Sequence, residues 1–179
     1  MYGIVNVAIQ DYALENYGPE KWEIIKQNSG IDIDFSLTDN AFNDSAIYDL
    51  AKTASAEMNH SFDDVLEDFG QNIIQTAHIK FNSFIESRGN TLKDYLINLP
   101  NFHNRIAMIY PELTPPQFKI SHIEDDFLYV HYISKTKGLK PFVAGYLKGL
   151  VNVFNEPAAV TFLESKEDGR QQEIFKISW

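Results

Sequence analysis

Five histidines, at positions 60, 78, 103, 122 and 131, are the side chains of this sequence best suited to hold a metal or move a proton near neutral pH. No two of them stand at the HxxxH or HExxH spacing that sets two imidazoles on one helical face, so a metal cage built from adjacent turns has no support. The chain has no cysteine, which removes disulfides, thiolate nucleophiles, iron–sulfur clusters and cysteine-type zinc sites. Neither a GxSxG elbow nor a glycine loop shaped to cradle phosphate is present. Carboxylates are plentiful, 25 against 15 Lys and Arg, but on so acidic a chain most are solvated surface and no pair stands out as an acid–base couple. His103, within FHNRIAMIY, is a lone imidazole in an apolar helical run. By residue type alone it is either a structural core residue or an axial ligand to a cofactor metal.

The elements that would position these residues change character part-way along the chain. Val5, Ala8, Ile9, Tyr12 and Ala13 recur at helical spacing until Gly18-Pro19, and Pro19 opens a second helix with Trp22 and Ile25 that closes near Gly30. Residues 31–40 are rich in turn formers and read as a loop or short extended piece. Helices follow at about 42–58 and 61–69, the second capped by Ser61, and Gly70 is expected to break or bend the pattern before a run from about Asn72 to Ser87. Thr91 starts a short helix, and a separate one over Phe102–Tyr110 is expected between Pro100 and Pro111. After Thr114-Pro115-Pro116 the period becomes two: QFKISHI and FLYVHYIS read as strands joined through Glu124-Asp125-Asp126. A helix from Pro141 to Phe154 and a hairpin around Glu167-Asp168-Gly169 complete the pattern. The expectation is one α+β domain over 1–179, helical to about 112 and then ββαββ over about 116–179.

Composition narrows the partners. A formal charge of −10 and a pI near 4.8 repel phosphate backbones and anionic lipid, so neither nucleic acid nor a membrane is expected. The N-terminus lacks a basic flank followed by an apolar run, which reads as an amphipathic helix and not a signal peptide, and the expected location is cytoplasmic. Aromatic residues reach 13%, a composition that suits a core with large flat surfaces whether or not a ligand fills it.

Several local motifs, in order, carry the inference further. MYGIVNVAIQDY, LPNFHNRIAMIYPELTPPQF and HYISKTKGL resemble the H-NOX (haem-nitric oxide/oxygen binding) family, which is related to the haem domain of soluble guanylate cyclase. The resemblance covers essentially the whole chain and implies haem b as cofactor, with His103 as the proximal iron ligand. It implies that Tyr132 and Ser134, the first two positions of a Tyr-x-Ser-x-Arg motif, bind the haem propionates. The motif's Arg is replaced here by Thr136, which supplies a hydroxyl and no charge. In strand geometry Lys135 and Lys137 would point to the opposite face from Tyr132 and Ser134, so weaker haem retention is expected. Pro116 corresponds to the family's porphyrin-packing proline.

The same resemblance places Ile4, Ile73, Ala77, Phe142 and Tyr146 on the side of the open iron position. Phe142 stands where oxygen-binding members carry Tyr. Bound oxygen needs a hydrogen-bond donor far more than nitric oxide or carbon monoxide does, so the sequence implies a nitric oxide sensor. Tyr146, one turn on and on the same face, leaves an oxygen-binding alternative open. No catalysis of its own is expected, the alternative being a haem enzyme that consumes nitric oxide or peroxide. A third possibility is a domain that has lost haem and takes another apolar ligand. Because the sequence ends at the hairpin, the output is expected to be a separate protein, a histidine kinase or a cyclic-di-GMP enzyme.

Overall fold

The structure is a computed structural model that describes residues 2–31, 44–80, 82–109, 116–163 and 172–179; side chains of residues 2–6, 44, 45, 82, 84, 106, 107 and 109 fall outside the description. Five helices come first: α1 Tyr2–Ser29, α2 Asp44–Met58, α3 Phe62–Lys80, α4 Asn82–Glu86 and α5 Leu92–Ile109. Then follow β1 Gln117–Ser121, β2 Phe127–Ile133, α6 Lys140–Phe154, β3 Ala159–Leu163 and β4 Gln172–Ser178. The α+β order with a ββαββ second part is the one expected. The turn expected at 167–169, most of 31–40, and Pro111 and Pro115 lie outside the described residues.

α1 turns at Gly18, whose φ of 80° and ψ of 166° are not helical, and Pro19 restarts the helix with its φ already set. Ala8, Ile9, Tyr12 and Ala13 before the turn, and Trp22 and Ile25 after it, are buried. Ser61 Oγ accepts from the Asp64 amide at 3.1 Å and Thr91 Oγ1 from the Asp94 amide at 3.1 Å, so α3 and α5 each begin on a capping hydroxyl.

Two expected breaks are absent. α3 runs through Gly70 without interruption, and its glycine is a packing device: a Cβ there would lie 2.1 Å from the Phe142 carbonyl oxygen and 2.7 Å from the Tyr146 amide. Gly145 is the reciprocal notch in α6, where a Cβ would lie 1.9 Å from the Glu67 carbonyl oxygen. The two helix backbones therefore touch, and Lys148 Nζ closes the edge of the seam on Glu67 at 2.6 Å. α3 is described to Lys80 and α4 from Asn82, and the junction within the run expected to Ser87 falls on residue 81, outside the described residues.

α5 likewise continues through Pro100, where a stop was expected. A proline inside a helix loses one ladder hydrogen bond, a cost that burial of an apolar stripe offsets. That stripe is Leu92, Tyr95, Leu96 and Leu99, all fully buried, and its next step is His103.

The four strands form one antiparallel sheet in the order β1-β2-β4-β3. Its inner face presents Phe118, Leu128, Val130, Tyr132, Phe175 and Ile177 to the core. β2 alternates cleanly between half-buried and buried positions. It ends at Ile133, so Ser134–Lys137 is a bend and not the strand continuation assumed for Lys135 and Lys137. The cause is local: Ser134 Oγ accepts from the Thr136 amide at 3.1 Å, a side-chain turn that competes with the ladder.

Candidate functional site

His103 is carried into the core by the leucine stripe of α5 and is 5% exposed. Both of its ring nitrogens are buried without a hydrogen-bond partner among the described residues. Burial pushes the imidazole down from its ordinary 6.5 to about 3, with the nearby Arg88 guanidinium adding to the effect. The ring is thus neutral at neutral pH, and a nitrogen lone pair is free to bond a metal. An unpaired buried polar atom costs about 1–3 kcal/mol, so this arrangement is costly unless something binds to it.

The ring of Phe118 lies 4.6 Å from that of His103. Phe118 is also 5.3 Å from Tyr132, its direct partner across the β1–β2 ladder, and 6.3 Å from Tyr146 on α6. His103, Tyr132 and Tyr146, predicted from separate stretches of sequence, are therefore brought around one aromatic ring. Ile73 and Ala77 are buried on α3 along the face that begins with Gly70, and Phe142 is half-buried on α6 against the core. Pro116 is half-buried directly before β1, two residues from Phe118. Ser134 and Thr136 stand in the bend after β2, half-buried, while Lys135 and Lys137 are exposed. The side chain of Ile4 lies outside the described residues.

Three residues that motif spacing did not single out complete the surroundings. Phe118 is one of them. The second is Arg88, buried with its guanidinium carbon 3.8 Å above the Phe102 ring and 5.6 Å from the Tyr95 ring centroid. The third is Tyr95, fully buried, whose hydroxyl lies 3.1 Å from that of Tyr146. Phe118 was visible as the inward position of QFKIS. Arg88 and Tyr95 carried no signal, since their contacts join segments distant in sequence.

The residues fit a haem in a specific way. No group of three or more His, Asp or Glu side chains that would hold a bare metal ion occurs among the described residues. A metal borne on a macrocycle needs only one protein nitrogen, and His103 offers one, unpartnered, against aromatic walls. Tyr132, Ser134 and Thr136 add hydroxyls of the kind that donate to carboxylates. No helix among the described residues is long and apolar enough to cross a membrane.

Comparison with known proteins gives three consistent results. A family model described as Haem-NO-binding matches residues 2–162. The chain is similar to soluble guanylate cyclase gcy-31 of Caenorhabditis elegans, with 25% identity over 94% of this chain and 24% of that protein. It is equally similar to soluble guanylate cyclase 89Db of Drosophila melanogaster, at 25% identity over 94% and 25%. It thus spans about a quarter of the length of these relatives. Among solved structures, an oxygen-binding H-NOX domain related to soluble guanylate cyclases, in its oxygen complex, superposes with a TM-score of 0.82 at 20% identity, over 99% of this chain and 94% of that one. A structure from work on haem distortion in the H-NOX family gives 0.83 at 20% identity, over 100% and 95%. These two likenesses establish the fold.

Proposed function

Because the chain belongs to the Haem-NO-binding family, whose H-NOX domains bind haem and act as sensors and not as catalysts, we propose that residues 1–179 form one haem b domain sensing nitric oxide and carbon monoxide through His103. The observation that carries this reading is the buried, neutral imidazole whose two nitrogens have no partner among the described residues. Haem, when bound, would supply an iron able to bind a diatomic gas. The chain's own residues do the rest. His103 provides the protein's bond to the metal. Tyr132 and Ser134 donate to propionate carboxylates, with Thr136 a weaker third donor. Ile73, Ala77 and Phe142 provide apolar walls that exclude water, while Pro116 packs beside them at the start of β1. Phe142 offers no hydrogen bond to a bound gas, which favours nitric oxide over oxygen.

The signal is movement. His103 would tie α5 to the haem, and α5 is tied at its other end to the sheet part: Glu156 accepts the Leu92 amide at 2.8 Å and the Trp179 indole N–H at 2.7 Å. A shift of α5 is thereby felt at the end of β4. The receiver is a signalling effector, and the family resemblance points to a separate histidine kinase or cyclic-di-GMP enzyme. The relatives' names, which are those of cyclases, keep a cyclase as the competing receiver.

A visible spectrum of the reduced protein, taken before and after adding nitric oxide, tests the reading. Expected is a porphyrin band near ~400 nm that shifts on gas binding, is lost or altered in His103→Ala, and returns when free imidazole is supplied. Purified protein that takes up no haem, or a His103→Ala spectrum identical to wild type, would overturn it.

A further inference from the structure

Tyr146 raises a chemical problem for a nitric oxide sensor. It sits one turn from Phe142 on the same face of α6, and a free phenol there would be the donor that bound oxygen needs. The structure contains the answer in a residue not otherwise used. Tyr95 is held rigidly on the α5 stripe between Leu92, Leu96 and Leu99, with the Phe154 ring against it at 5.7 Å. Its hydroxyl is 3.1 Å from that of Tyr146, and both side chains are buried from water. Arg88, also buried, brings its guanidinium to the Tyr95 side of the pair, 5.6 Å from that ring's centroid. At that separation either hydroxyl can donate, and the Tyr146 proton can lie on the line to the Tyr95 oxygen. Burial raises the titration of both phenols, the Arg88 charge opposes this at each, and both therefore stay protonated. A phenol has one proton to give. Given to Tyr95, the Tyr146 proton would not be available to a bound gas.

We propose that Tyr95 is a positioning residue that sets gas preference by engaging the Tyr146 hydroxyl, so that neither Phe142 nor Tyr146 donates to a bound diatomic. The inference rests on the sensor reading above and extends it.

Three variants test it: Tyr95→Phe, Tyr146→Phe and the double replacement. In haem-loaded protein, Tyr95→Phe is expected to raise oxygen affinity about tenfold relative to carbon monoxide affinity, because a stranded buried phenol seeks an acceptor and carbon monoxide is a poor one. Tyr146→Phe alone should leave that ratio unchanged, and the double variant should return it to the wild-type value. A merely loosened pocket would move both affinities together. In haem-free protein, the unfolding equilibrium gives an independent readout: each single variant should lower the folded-to-unfolded ratio about tenfold, and the double should be little worse than either.

Additive losses in that cycle, an unchanged gas ratio in Tyr95→Phe, or a fall in oxygen affinity from Tyr146→Phe alone would each overturn the proposal. A wild-type protein that shows no response to nitric oxide defeats the sensor reading and this inference together. A responding wild type with an unchanged ratio defeats the inference alone.

Discussion

His103 occupies the step of the α5 stripe that follows Leu99, so a helix that buries leucines must bury an imidazole with them. The residue is poor for stability, since its nitrogens lose water and gain no partner among the described residues. His103→Leu should therefore stabilise the haem-free protein by about 1–2 kcal/mol in urea unfolding, while removing the nitric oxide response proposed for the haem-loaded form. Destabilisation would show that the ring has a structural partner. At the rim, Thr136→Arg should restore a charge-assisted bond of about 1.5–3 kcal/mol and slow haem transfer to an acceptor protein by a factor of ten or more. Equal transfer rates would show that another cation already serves. His103, Tyr132, Ser134 and Thr136 became candidates because they sit in short motifs in a fixed order. Arg88 and Tyr95 were not, because what defines them is a ring and a hydroxyl contributed from α5 and α6.

At the scale of elements, the strands and both hydroxyl-capped helices were legible in local pattern: alternation in FLYVHYI, and Ser61 and Thr91 three residues before the amides they cap. Gly70 and Pro100 were misjudged for a shared reason. Local propensity marks both as breakers, but each lies in a helix whose neighbours fix it from outside: α6 presses on Gly70, and the buried stripe holds α5 together. The notches make unequal demands. Gly145→Ala should cost about 3 kcal/mol in chemical denaturation, because the new methyl meets the Glu67 backbone at 1.9 Å and backbone cannot step aside. Gly149→Ala should be near neutral. Its closest contacts are at 3.1 Å, and the helix gains about 1 kcal/mol in propensity from losing a glycine. A similar cost at both positions would show that the crossing is looser than the backbone distances imply.

Across the whole molecule, Glu156 is one of the polar links by which the helical and sheet parts meet among the described residues. One carboxylate oxygen closes the first turn of α5 and the other holds Trp179 at the end of β4, whose amide in turn bonds the Asp126 carbonyl. Glu156→Ala should lower stability by about 2 kcal/mol, a fall of roughly 4–8 °C in melting temperature for a chain of this size. Because Trp22 is buried far along the sequence in α1, the accompanying change in indole emission should report Trp179. An unchanged spectrum would place the link elsewhere. The α3–α6 seam, finally, bears on how damage to this protein would look in a genetic screen. Gly70 and Gly145 leave no room for a Cβ, and a side chain at either would press on the crossing that holds the stretch bearing Phe142 and Tyr146. Carriers of such lesions would be scored as lacking the proposed response, although every side chain of the pocket was still encoded.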